Sequence, residues 1–169
     1  MSALVWMKEL PWVVAFRESS WVYPSVETVH GIGMGLLVGT LTVIDIRVLG
    51  GLRRLPLELL PKLSPFLWVG FVLNACSGVL MFMSDGPRLI DNWIFQAKMI
   101  LIGLGLVIAW RLQRELAPAS PHARVPAGPP RVRGPAGTSQ RMQLIAALSL
   151  LIWYAAIVAG RVTAFLGDQ

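Results

Sequence analysis

Apolar residues in this chain gather into four long runs, at approximately residues 24 to 50, 65 to 84, 90 to 112 and 142 to 166. A helix rises about 1.5 Å per residue, so roughly 20 apolar residues cross the hydrocarbon of a bilayer. Every run reaches that length. None alternates apolar and polar positions as a membrane barrel would, and backbone groups in lipid must find partners within their own segment, so the runs are expected to be helices. The predicted fold is an all-α membrane protein: one domain over residues 1–169, built as a four-helix transmembrane bundle.

Polar breaks between the runs supply the punctuation. Pro24 suits the first turn of a helix, where its missing N–H is not needed, and Gly50-Gly51 marks an exit. Pro56, Pro61 and Pro65 interrupt the first loop, and Asp85-Gly86-Pro87 predicts a short turn that makes the second and third helices an antiparallel hairpin. Residues 1–22 are apolar but broken by Lys8, Glu9, Pro11, Arg17 and Glu18. They lack the basic start and continuous core of a signal peptide. An amphipathic segment lying at the membrane interface is expected, with Trp6, Trp12, Phe16 and Trp21 toward lipid or the bundle. Residues 117–140 are rich in Pro, Gly, Ala and Arg, with almost nothing to bury, and are expected to form a flexible basic loop.

Composition strengthens the membrane assignment. Hydrophobic residues make up 55% of the chain and charged ones 14%, against about 25% charged in soluble domains, so too few polar side chains exist to coat a water-soluble globule. Seven Trp against two Tyr suit a chain with membrane interfaces to anchor. The lone Cys76 excludes an intrachain disulfide and a cysteine-based metal cage. A net charge of +6 invites a nucleic-acid reading of Arg124, Arg131 and Arg133, but basic loops beside a bilayer follow more simply from topology and anionic lipid. Arg53, Arg54 and Lys62 after the first helix share one face with Arg111, Arg114, Arg124, Arg131, Arg133 and Arg141 after the third. By the positive-inside rule that face is cytoplasmic and both termini lie outside.

Ionisable residues inside the runs are the candidate chemistry. Lipid charges several kcal/mol for each, so they persist mainly where they pair, line a cavity or bind something. In the predicted topology His30, Lys98 and Arg161 fall at similar depth, and Glu27 lies one turn from His30 on the same helix face. An outer-leaflet polar cluster of Glu27, His30, Lys98 and Arg161 is expected. The plainer alternatives are that Lys98 and Arg161 snorkel to the headgroups and that His30 bonds a neighbouring helix. Asp45 and Arg47 read as structural polar residues fixing the cytoplasmic end of the first helix, with proton carriage by Asp45 as the alternative. Gly31, Gly35 and Gly39 make a smooth stripe; Gly70, Asn74 and Gly78 do the same on the second helix, with the Asn74 amide bonding across helices. These stripes predict tight contact between the first two helices, or a homodimer or larger membrane complex.

Glu27-x-x-His30-x-x-Gly33, Gly39 followed by Asp45-x-Arg47-x-Leu49-Gly50, Gly78 with Phe82, Asn92-x-x-Phe95-x-x-Lys98 and the closing Gly160-Arg161 resemble the motifs of a family of bacterial four-helix inner-membrane proteins of unknown function. That resemblance touches all four helices and implies the bacterial inner membrane, without an activity. More distantly the chain is similar to the membrane-embedded protoporphyrinogen oxidase and copper-resistance D families. The former resemblance implies haem b, with His30 as the iron ligand and Lys98 and Arg161 holding propionates. Only one intramembrane histidine is present, because His122 falls in the basic loop, so a two-histidine haem within one chain is not expected. Competing readings are copper held by His30 with Met34, Met81 and Met83, a noncatalytic subunit or scaffold, and a small transporter. No serine triad, phosphate loop or zinc spacing is present, and Gly31-x-Gly33-x-Gly35 has no preceding strand, so soluble enzyme chemistry is not indicated.

Overall fold

The computed structural model describes residues 3–116 and 138–166. Two short helices, α1 (Ala3–Lys8) and α2 (Pro11–Glu18), precede the first long one, α3 (Val22–Val48). A 3-10 turn over Leu57–Leu63 leads into α4 (Ser64–Ile90), followed by α5 (Trp93–Leu116) and α6 (Gln140–Leu166). The architecture is all-α, and its four long helices have the length and apolarity to cross a membrane. Most of the predicted basic loop, residues 117–137 with His122 and its arginines, lies outside the described residues.

Local chemistry sets the boundaries. At the end of α3, Gly50 adopts φ 101°, a left-handed conformation that a side chain disfavours. Its N–H bonds to the Arg47 carbonyl at 3.2 Å while that of Gly51 reaches Ile46 at 2.9 Å, the paired bonds of a Schellman cap. Asn92 caps α5 by accepting from the N–H groups of Ile94 and Phe95 at 2.9 and 3.3 Å. One boundary differs from expectation. Asp85-Gly86-Pro87 is not the turn: α4 kinks there, with Asp85 at φ −137° and ψ 20°, and continues to Ile90. Pro87 would clash with the Met83 carbonyl in a straight helix, and the break at Asp85 relieves that clash without ending the helix. The reversal falls instead at Asp91–Asn92.

Helices α3 and α4 pack intimately as one antiparallel pair and α5 and α6 as another, and the pairs join mainly through α3 and α6. A central core of Leu37, Val38, Leu41, Leu67, Ala109 and Trp153 links all four helices. A second core, with Ile44, Val48, Leu60, Leu112 and Ala146, closes the end that carries the basic connections. The outward positions are apolar too: Val72, Ile100, Leu151 and Val158 are each more than half exposed. Such a coat is intelligible when lipid is the solvent, and close packing rather than water exclusion then holds the helices together.

On α4 the backbone contact with α3 uses Gly70 of the predicted stripe, but on α3 it uses Gly33 rather than Gly31, Gly35 and Gly39. A Cβ on Gly33 would sit 2.7 Å from the Asn74 nitrogen, and one on Gly70 would sit 2.6 Å from the Leu37 nitrogen. Gly31, Gly35 and Gly39 meet nothing within 4 Å, so their stripe faces away from α4. Gly78 does lie at the contact, where its bare Cα makes room for the His30 ring.

The N-terminal segment is helical and ordered onto the bundle. Helix α1 lies on α4, and α2 lies on α3 and α4, anchored by the fully buried Val13. Trp6, Trp12 and Trp21 are exposed, whereas Phe16 packs its ring 5.5 Å from that of Tyr23. The segment thus has one face on protein and leaves its indoles exposed.

Candidate functional site

His30 sits two turns into α3, facing α4. Asn74 donates its side-chain N–H to the His30 carbonyl at 2.9 Å, and Ser77 Oγ lies 3.0 Å from His30 Nδ1. The Ser77 hydroxyl has one proton, and its shortest bond, 2.6 Å, is to the Leu73 carbonyl one turn back on its own helix. In the tautomer in which Nδ1–H donates to Ser77, Nε2 is a bare lone pair, the form in which imidazole accepts a proton or ligates a metal. A partner that holds ring orientation in this way is the usual support of a working histidine.

Across from His30 stands Lys98, in the second turn of α5. Both line a cavity of about 30 Å³ whose walls come from all four long helices, with Met34, Asn74 and Trp153 among the others. Gly160 of α6 makes room for the lysine: a Cβ there would lie 3.3 Å from Nζ. The ion pairs among the described residues are Arg17–Glu18 and Arg88–Asp85, and neither involves Lys98. No carboxylate lines the cavity. A lysine in a membrane interior is costly to charge without an anion, and an anionic group in the cavity would offset that cost.

The cavity lies beside the loosest seam of the bundle. Helices α4 and α5 are pinned at one end by the stacked rings of Phe82 and Phe95, 5.9 Å apart, and at the other by the hydrogen bond from Ser64 to Gln113. Between those pins they touch little, unlike α3 with α4 or α5 with α6. Asn74 of α4 and Lys98 and Ile102 of α5 are the cavity's lining residues on the two sides of this seam.

The other expected members of the cluster are placed elsewhere. Glu27 and Arg161 are exposed on α3 and α6 and do not line the cavity. Arg47 is buried and donates through Nε to the Leu55 carbonyl, tying the first loop to the end of α3. Asp45 is fully buried about 22 Å along α3 from His30. Ser149 on α6 faces it, yet among the described residues neither side chain makes a hydrogen bond of ordinary geometry.

Two contributors escaped the sequence reading. Ser77 belongs to none of the motifs, and Trp153 counts in the sequence only among the seven tryptophans that suit membrane interfaces. Instead Trp153 is buried against Gly105, where a Cβ would lie 2.8 Å from the indole, and it floors the cavity with its N–H unpartnered. A depth argument could have found Trp153, because mid-membrane is the wrong level for an anchoring tryptophan.

Haem does not fit this cavity within one chain. His30 has the orientation of an iron ligand, but about 30 Å³ admits one water, whereas ligand pockets typically run to roughly 300–1,000 Å³. Of the copper candidates, Met34 lines the cavity with His30 while Met81 and Met83 do not. No group of three or more His, Cys, Asp or Glu residues that could hold a metal occurs among the described residues. No family model, curated protein or solved structure matches the chain. Function is therefore argued from this geometry alone.

Proposed function

We propose that this chain is a multi-pass membrane subunit that binds the carboxyl end of a lipid-soluble ligand through the α4–α5 seam. The observation that carries the reading is Lys98, facing His30 in a cavity without a carboxylate. A carboxylic acid answers both: its proton passes to Nε2, and the carboxylate so formed accepts from the Lys98 ammonium and from the new imidazolium N–H. The small cavity takes this polar end while the ligand's body stays in the seam or the lipid. Fatty acids and the propionate edge of a tetrapyrrole both belong to this class.

Binding of cis-parinaric acid and of protoporphyrin IX to the protein in nanodiscs tests it, with the methyl esters as controls. A charge-assisted hydrogen bond is worth about 1.5–3 kcal/mol, so Lys98→Met is expected to weaken the free acids by roughly tenfold or more and to leave the esters unchanged. His30→Ala should weaken them less. A second reading, a scaffold in which His30 only locks α3 to α4, is favoured by its two bonds to that helix. Equal acid binding by wild type and Lys98→Met would select the scaffold.

We further propose a bacterial inner-membrane orientation with both termini periplasmic. Its support is that Arg53, Arg54, Lys62, Arg111, Arg114 and Arg141 all flank the same end of the bundle. A phosphatase reporter inserted after α5 is expected to be inactive, and one fused before α1 active. The reverse pattern would invert the site's leaflet.

A further inference from the structure

At the opposite end from those basic connections, three cations from three helices meet over one cleft. Lys8 ends α1, Arg17 lies in the last turn of α2, and Arg88 in the last turn of α4. With Tyr23, Ser84 and Asp85 they line an open space of about 390 Å³. Asp85 is the one carboxylate on its wall and pairs with Arg88 at 3.6 Å. Arg17 lies 3.9 Å from Glu18, which projects into solvent outside the cleft. Three positive charges against one negative leave the lining at +2, and the Tyr23 hydroxyl adds a neutral donor, whereas the buried Ser84 hydroxyl donates to the Leu80 carbonyl at 3.3 Å.

The fold builds this arrangement from distant parts of the chain. Helices α1 and α2 bring Lys8 and Arg17 over α4, and the kink at Asp85 turns the final stretch of α4, with Arg88, away from the straight helix path. Exposed Trp6, Trp12, Trp21 and Trp93 surround the same end of the bundle. Indoles at this density mark the headgroup zone, so the cleft opens where lipid phosphates lie.

We infer that this cleft is a phosphate-binding site at the membrane surface, taking an anionic phospholipid headgroup or a free phosphate. The arginine guanidinium fork matches phosphate oxygens, and the Tyr23 hydroxyl can donate to a further one. A zwitterionic headgroup would bring its own cation against the cluster and is disfavoured. The cleft is independent of the His30–Lys98 cavity, which shares no lining residue with it.

Native mass spectrometry of the full chain in detergent, with added phosphatidylglycerol or phosphatidylcholine, tests the assignment. Replacing Lys8, Arg17 and Arg88 together by Gln is expected to lower phosphatidylglycerol retention at least about tenfold, with phosphatidylcholine unaffected. Asp85→Asn removes the one competing anion and is expected to raise retention severalfold, an outcome that a misfolded protein could not produce. Lys98→Met should leave retention unchanged. Displacement of the lipid by millimolar inorganic phosphate would support a soluble phosphate as ligand, and no displacement would support the lipid itself. Wild-type retention in the triple variant, or no gain in Asp85→Asn, would overturn the site.

Discussion

Gly70→Leu is expected to separate α3 from α4 and to destabilise the protein by about 3 kcal/mol or more, at the upper end of what overpacking costs. The first atom of the new side chain would fall 2.6 Å from the Leu37 nitrogen, 2.9 Å from the Gly33 oxygen and 3.1 Å from the Leu36 carbonyl carbon. All three are backbone atoms of α3, so no rotamer change relieves the overlap. Either the helices move apart or the local pairing is lost. Since lipid supplies no hydrophobic drive to hold them, lost van der Waals contact is not replaced by burial. Retention of helicity and of the folded fraction through a denaturant titration in mixed micelles measures the loss. Gly35→Leu is the control, because nothing lies within 4 Å of a Cβ there, and it should shift stability by no more than about 0.5 kcal/mol. Destabilisation by Gly35→Leu in the bilayer but not in dilute micelles would assign the face of Gly31, Gly35 and Gly39 to a second copy of the chain. Near-wild-type behaviour of Gly70→Leu would mean that α3 and α4 are not in backbone contact.

This contrast shows which parts of the molecule could be read from residues alone. Bilayer thickness fixes a length, and a length is visible in a sequence, so the four long helices and their order follow from the apolar runs. Rotation of each helix about its axis is a different matter. In water a helix buries its apolar face and reveals its orientation, but in lipid the outward face is equally apolar. Ile100, Leu151 and Val158 point outward, and Leu37, Leu41 and Leu67 point inward, without any change of residue type. The face of α3 that meets α4 was therefore assigned to Gly31, Gly35 and Gly39, when Gly33 is the glycine that touches it.

The same limit divides the polar residues. Depth is a length along the helix and was legible, which is why His30 and Lys98 could be placed at one level before any coordinates. Direction was not legible, and it separates these two from Glu27 and Arg161, which look outward. The role of Ser77 needed still more, because only the three-dimensional contact with Nδ1 shows that a helix serine pairs with this histidine. The turn at Asp85-Gly86-Pro87 failed for a related reason. Gly and Pro report backbone preference, and a kinked helix satisfies that preference as well as a turn does.

Removing the Asp45 carboxyl is expected to stabilise the protein, against the usual sign of a buried substitution. Asp45 is wholly inaccessible, packed between α3 and α6, and among the described residues both of its oxygens lack a hydrogen-bond partner. An unsatisfied buried polar group costs about 1–3 kcal/mol, and more when charged, whereas a valine at the same place would fill much the same volume without that penalty. Asp45→Val should therefore raise stability by about 1–3 kcal/mol in thermal or denaturant unfolding. Ser149 makes the test sharper. Its buried hydroxyl faces Asp45 and is the polar group best placed to ease the carboxyl's desolvation. Ser149→Ala alone should lower stability, because it leaves the acid with still less. In the Asp45→Val background the same change should be neutral or favourable, since the hydroxyl is then the orphan. A double-mutant cycle on the pair should accordingly return a coupling of roughly 0.5–3 kcal/mol. A native acid that weakens its own fold is a group retained for something other than packing, and charge movement at that end of α3 is the chemistry a lone membrane carboxyl can supply. Destabilisation by Asp45→Val beyond about 1 kcal/mol would instead show that the carboxyl is paired, and would return it to the structural role of its neighbour Arg47.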